Sequence, residues 1–205
     1  SLRENPEHAR DFLHTASVNA NIRHPAILPV YEAGEHQGTY FYAREFIAGR
    51  TLDEIRASGL TITETTALRI VRAIAEALAH LDDHGILHAP LRFSRIFITP
   101  NDEARLADVA VGDSAMAQLT PPQVEIQMVG RLLIPMTKAT AIPGSGRVLT
   151  LIHQMQTSGP MAITSWAALA LEAKRLATVV GPPRPLVPPK KMGVFGKVKL
   201  WGRRG

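Results

Sequence analysis

Hydrophobic positions recur at two periods along the chain, and the switches between those periods divide it into elements. Between Asn5 and Arg23, the residues Phe12, Leu13, Ala16, Val18, Ala20 and Ile22 fall on a helical repeat, and Asn5 with Pro6 supplies a start. The segments from Ile27 to Ala33 and from Thr39 to Phe46 alternate instead, and the stretch from Gly34 to Gly38 between them predicts a hairpin. The strongest helical pattern runs from Thr61 to Gly85, with Leu68, Val71, Ile74, Ala75, Leu78 and Leu81 on one face. Thr61 and Glu64 have the spacing of a capping box, and Gly85 stands where a C-terminal cap is expected. This helix is expected to lie buried at the centre of the fold. Short apolar strands are predicted at Ile96 to Thr99 and at Ala104 to Val109, around a turn of Pro100, Asn101 and Asp102. Two further helices are predicted over Val148 to Met155 and Ser165 to Leu176, joined by the stretch Thr157 to Pro160.

Composition narrows the class. With 205 residues, 45% hydrophobic and 20% charged, the chain can bury one substantial core and reads as a single globular domain. It has no cysteine, which excludes disulfides and thiolate metal sites and agrees with a reducing, cytoplasmic setting. No apolar run reaches the length of a membrane span, and the start shows no basic-then-apolar leader. The first residue is Ser rather than Met, so the chain is expected to be a fragment of something longer.

The net charge of +5 is concentrated at one end. Residues 182–205 hold seven basic residues and no acid, so the remainder carries −2. The stretch Gly181 to Pro189 is a proline-rich linker, and Lys190 to Gly205 interleaves Phe195, Leu200 and Trp201 with basic residues. One reading of this tail is a solvated end. The other is attachment to an anionic membrane surface, worth about 1 kcal/mol per basic residue near the headgroups. Nothing in the body has a nucleic-acid motif or a basic face, so nucleic acid is not an expected partner.

His80 and His84 lie one turn apart, a spacing that can bind a divalent metal, but no third ligand follows at matching spacing before the Gly85 stop. They read as polar residues near a helix end.

Three stretches carry a family resemblance. The run Arg23 to Gly34 (RHPAILPVYEAG) resembles the R-H-P-N-I-x-x-V-Y-E-x-G that follows the regulatory helix of bacterial eukaryotic-like (Hanks-type) Ser/Thr protein kinases. Glu45 to Leu52 resembles their hinge. Gly85 to Asp108 resembles their catalytic and metal-binding loops, with His88, Leu91, Ser94, Ile96 and Asp108 matched. The resemblance implies an α+β, two-lobed protein kinase-like fold. It divides the chain into a truncated small lobe at 1–46, a hinge at 45–52, a mainly helical large lobe at 53–178, and a linker and tail at 179–205.

The same alignment predicts lost chemistry. The family's catalytic base falls on Pro90, its phosphate-contacting Lys on Arg92 and its metal-binding Asn on Arg95, leaving a degenerate loop of His88, Pro90, Arg92 and Arg95. The glutamate of the regulatory helix lands near Thr15, and the glycine-rich loop and its Lys would precede the first residue. Backbone groups of Glu45 and Ile47 would meet an adenine, and Asp108 would be the remaining metal ligand. Arg44, at a position that usually faces the adenine pocket, is expected either to turn to solvent or to fill that pocket. Arg92 and Arg95 are expected to be solvated or paired with Asp108 or Asp113, with direct phosphate contact as the second reading. His88 is expected to hydrogen-bond backbone rather than act as a base.

Beyond Asp108, the stretch from Leu119 to Leu133 resembles the helix that follows the activation segment, with Glu125 near its buried Asp. Only residues 109–124 separate Asp108 from Glu125, so the substrate-docking segment is expected to be deleted. The expectation is therefore a pseudokinase, a scaffold or regulatory module that binds a protein such as another kinase and needs no cofactor. The alternative is an unorthodox kinase using ATP and Mg²⁺ with a relocated base.

Overall fold

The structure, a computed structural model, describes residues 6–37, 39–110, 120–137 and 146–177. Its elements run α1 (Pro6–Asn21), β1 (Val30–His36), β2 (Thr39–Arg44), β3 (Arg50–Thr51), α2 (Leu52–Ala57), α3 (Glu64–Asp83), β4 (Ile96–Ile98), β5 (Ala104–Leu106), α4 (Pro122–Met136), α5 (Gly146–Gln156) and α6 (Trp166–Ala177). The architecture is α+β. A small part pairs α1 with the antiparallel hairpin β1-β2, and a larger part packs α2 to α6 around a three-stranded antiparallel sheet in the order β3-β4-β5.

The central helix is α3. Its stripe of Leu68, Ile70, Val71, Ile74, Leu78 and Leu81 is buried against α6, α5 and β5. Burying each such side chain contributes about 1.5–3 kcal/mol before conformational entropy is counted. Gly85 ends the helix as expected. At φ 64° it lets the Ile86 N–H reach the Leu81 carbonyl while its own N–H meets Asp82, a Schellman closure.

The start of α3 differs from the expectation. Thr63, not Thr61, is the N-cap, its hydroxyl accepting from the Thr66 N–H. The Glu64 carboxylate points away from its own helix and accepts from the N–H groups of Arg147 and Val148, where α5 begins. The complete capping box lies elsewhere, between Thr51 and Glu54 at the start of α2.

The first alternating segment is also divided differently. Pro29 has no N–H to give a ladder, and the chain before it joins the other sheet: Leu28 N–H donates to the Leu106 carbonyl at 2.8 Å and Leu106 N–H to Ala26 at 2.7 Å. Only from Val30 onward does the strand belong to the hairpin. This splice ties α1 and its hairpin to β5.

Gly49 fixes the connection between the two parts. A Cβ there would stand 2.5 Å from the Ile98 carbonyl oxygen, so the backbone before β3 lies directly on β4. Among the described residues no helix is long and apolar enough to cross a membrane.

Candidate functional site

The loop after α3 is held from two sides. Below it, Glu125 on α4 is buried at 1% exposure, and its Oε1 accepts from the Leu91 N–H at 2.7 Å. Oε2 has no hydrogen-bond partner and lies 3.7 Å from His88 Nε2. Burial raises the Glu125 pKa, an effect opposed by the Leu91 N–H and by His88 and reinforced by Asp82. His88 Nδ1 meets the Ala89 carbonyl at 3.0 Å, so that nitrogen carries the proton, and the ring edge faces Trp166. The imidazole therefore bonds backbone, as expected, and sits on Glu125 as well.

Above the loop, the segment after β5 runs back alongside it. His88 bridges to Ala110, and Ala89 N–H donates to the Val109 carbonyl at 2.7 Å. Asp108 turns this segment through a left-handed conformation, φ 53°, which Asp tolerates better than most residues. Its Oδ1 accepts from the Tyr42 hydroxyl at 2.6 Å, and its carbonyl accepts from Arg95 Nη1 at 3.2 Å. Burial and the hydrogen bond to Asp108 push the Tyr42 phenol up to about 12. Asn19, buried on α1, closes the arrangement with two bonds to one residue, its Oδ1 accepting from Ala110 N–H and its Nδ2 donating to the Ala110 carbonyl.

These contacts bring His88, Pro90, Arg92, Arg95 and Asp108 around one small gap. They do not include the hinge residues Glu45 and Ile47. Glu45 N–H donates to the Pro29 carbonyl and its carboxylate pairs with Arg105 at 2.6 Å. Arg92 is exposed, and Arg95 reaches the Asp108 carbonyl rather than its carboxylate. Asp113 lies outside the described residues. Arg44 turns inward, its guanidinium 5.4 Å from the centre of the Phe97 ring, where a cation–π contact offsets part of the cost of its half-burial.

A second cavity, about 290 Å³, opens under α1 and is lined by Asp11, Phe12, Thr15, Tyr42, Arg95 and Asp108 among others. Thr15 thus faces the site, in the register expected for the helix glutamate. Asp11, one turn earlier, brings a carboxylate to the same wall. Neither Asp11, Tyr42 nor Asn19 lies in a motif. The one sequence signal for Asn19 is a polar residue on the inward stripe that contains Phe12 and Ala16.

His80 and His84 stack with His24 in a row, with centroids 4.2 and 5.2 Å apart. His24 Nδ1 accepts from the Ala26 N–H, and burial with the neighbouring His80 lowers its pKa. Among the described residues no three His, Cys, Asp or Glu side chains are grouped to hold a metal ion.

The protein kinase domain family model matches residues 2–126, more than half of the chain, a range that holds α1 and reaches past Glu125 into α4. The chain belongs to the protein kinase domain family. It is 25% identical over 166 residues to the serine/threonine-protein kinase PknD of Protochlamydia amoebophila, covering 75% of this chain and 16% of that protein. It is 28% identical over 123 residues to a probable serine/threonine-protein kinase of Streptomyces coelicolor, covering 56% of this chain and 18% of that protein. With the serine/threonine-protein kinase PrkC of Bacillus subtilis the identity is 27% over 105 residues, covering 51% of this chain and 16% of that protein. The chain therefore spans less than a fifth of the length of these bacterial relatives. The hairpin with α1 and the mainly helical part are the small and large lobes of the kinase fold. Kinases of this family normally use ATP with Mg²⁺.

Proposed function

We propose that this kinase domain does not transfer phosphoryl groups and serves as a regulatory or scaffold module in bacterial signalling. The observation that carries the reading is Arg95. At the position of a metal-binding Asn it places a permanent positive charge against the Asp108 backbone, 3.2 Å from its carbonyl. A cation fixed there opposes a second cation electrostatically. The donor set does not fit Mg²⁺ with ATP, because Asp108 is the one carboxylate at a family metal position and its Oδ1 already accepts from Tyr42. Pro90 has no proton-accepting side chain to serve as a base. Arg44 on Phe97 supports the same reading, since it fills space at a position that normally faces adenine.

The partner in this reading is a protein, another kinase among them, met through the lobe surface. Absence of cysteine supports a cytoplasmic setting, and the tail's basic residues support contact with an anionic membrane surface.

A second reading, an ATP-dependent Ser/Thr kinase with an atypical site, is favoured by Asp11, which puts a carboxylate on α1 beside the same cavity as Asp108. Thermal unfolding with and without ATP and Mg²⁺ separates the two, because a ligand of the folded state raises the midpoint. The inactive reading expects no Mg²⁺-dependent shift at millimolar ATP and no incorporation of labelled phosphate into protein. A Mg²⁺-dependent shift with incorporation overturns it. A shift with ATP alone assigns phosphate contacts to Arg92 and Arg95.

A further inference from the structure

The turn after α1 is set by an imidazole. His24 Nδ1 accepts from the Ala26 N–H at 3.1 Å, and the Ile27 N–H returns to the His24 carbonyl at 3.0 Å. That turn delivers Ala26 and Leu28 to Leu106. The joint between the small lobe and β5 therefore hangs on a nitrogen that accepts only while it carries no proton.

His80 and His84 on α3 continue from His24 as a row of rings, with centroids 5.2 Å and then 4.2 Å apart. His84 Nδ1 meets the His80 carbonyl at 2.7 Å and so carries its proton, which leaves Nε2 to titrate. The charges around His24 come largely in opposed pairs. Glu76 on α3 favours its protonation but is bound to Arg72 at 2.7 Å. On the side of β5, Arg105 is paired with Glu45, buried Asp102 accepts from the Thr66 hydroxyl, and Glu103 shares the cleft beside His24 with Arg69. Arg23, next in sequence, is bound to the carbonyls of Ala20 and Ile22. Burial and His80 outweigh Glu76 and lower the His24 pKa, so the fold selects the neutral ring.

We propose that this row is a proton-operated latch between the lobes. With the imidazoles neutral, His24 holds the Ala26 N–H and the joint at Leu106 is closed. One proton taken from solvent at His24 Nδ1 removes the acceptor, and imidazolium charges along the row push the turn away from α3. Acid thus frees α1 and its hairpin to move against the large lobe while α3 stays folded. Because the folded value lies below the unfolded one of 6.5, the joint is at full strength above the latter and weakens as pH falls from it through the lowered one. The latch does not depend on whether phosphoryl groups are transferred, so it stands apart from the preceding reading.

The test is hydrogen exchange of the full chain by NMR between about pH 7.5 and 5, corrected for intrinsic exchange rates, with the His24 ring titrated in the same samples. The Ala26, Leu28 and Leu106 amides should lose about tenfold in protection across the His24 titration, as for one hydrogen bond lost from the closed state. Ile74 and Leu78 in α3 should keep theirs. His24→Asn retains an acceptor for the Ala26 N–H with nothing to protonate, and should hold the three amides flat. His24→Ala should show the open protection already at the upper end of the range. His153→Gln, exposed on α5, should leave the wild-type profile unchanged. Protection that is flat in the wild type, that falls equally in His24→Asn, or that falls together with Ile74 and Leu78 overturns the latch. The wild type decides the matter even where a variant does not fold, because a His24 ring that titrates outside the interval in which the three amides open overturns it as well.

Discussion

The Tyr42 hydroxyl and the Asp108 carboxylate meet at 2.6 Å across the two lobes, one on the hairpin of the small lobe and the other after β5 of the large one. The bond places a phenol in a half-buried setting beside an acid, which is why its pKa is pushed up to about 12.

Tyr42→Phe should remove the latest-titrating phenol from an alkaline absorbance titration. A phenol whose folded pKa is raised contributes stability that is present below the unfolded value near 10. That contribution is lost as pH rises through about 12. Denaturant midpoints of the wild type should therefore fall across this window, and those of Tyr42→Phe should fall less. Parallel curves would show that the bond does not hold in solution.

Glu125 titrates in the same sense at lower pH. Its burial carries no charge penalty while it is protonated and costs free energy once it is ionised, so stability should decline as pH climbs from the unfolded carboxyl value through its raised folded one. Glu125→Gln keeps an acceptor for the Leu91 N–H and should flatten that decline, leaving the share due to Asp82, which burial raises as well. Glu125→Ala strands the Leu91 donor and should cost about 1–3 kcal/mol at the pH where Glu125 is protonated, and less as it ionises in the wild type. Denaturant unfolding from pH 4 to 8 (about the range of carboxylate and imidazole titration) reads both.

Glu64→Ala should destabilise the large lobe by about 1–2 kcal/mol, because two N–H groups of the first turn of α5 lose their acceptor. Exchange of the Arg147 and Val148 amide protons should quicken in the variant. If those two amides keep their protection, the carboxylate is not their cap.

Gly49→Ala drives a Cβ to 2.5 Å from the Ile98 carbonyl oxygen, a backbone atom that cannot swing aside. Overpacking of this kind costs about 1–3 kcal/mol. Equilibrium unfolding should show that loss, whereas Gly59→Ala, which meets nothing within 4 Å, should show only the smaller strain of its positive φ.

Local pattern carried the fold further than the site. The stripe of α3, the stop at Gly85, the hairpin and the two last helices are all written in spacing, because each is decided within a turn or two of chain. Thr61 and Glu64 have the spacing of a capping box, yet Glu64 is claimed by α5 some eighty residues later, a tertiary contact that no local spacing records. The loop positions from His88 to Asp108 were legible through the motif they resemble. Tyr42 and Asp11 were not, because a tyrosine on an alternating strand and an acid on an amphipathic helix look like ordinary surface until the partner segment is brought beside them. Asn19 was the exception that composition could have flagged, a polar residue on an apolar stripe.

The two bonds from Asn19 go to the N–H and carbonyl of Ala110 and to nothing on its side chain. A clasp of this kind is written to the peptide unit, so it excludes proline at residue 110 but otherwise sets no condition on which amino acid stands there. Val109-Ala110 can thus stand where the family has Phe-Gly while the helix keeps its hold, so the fit of the two lobes at this point does not depend on which side chains the segment carries.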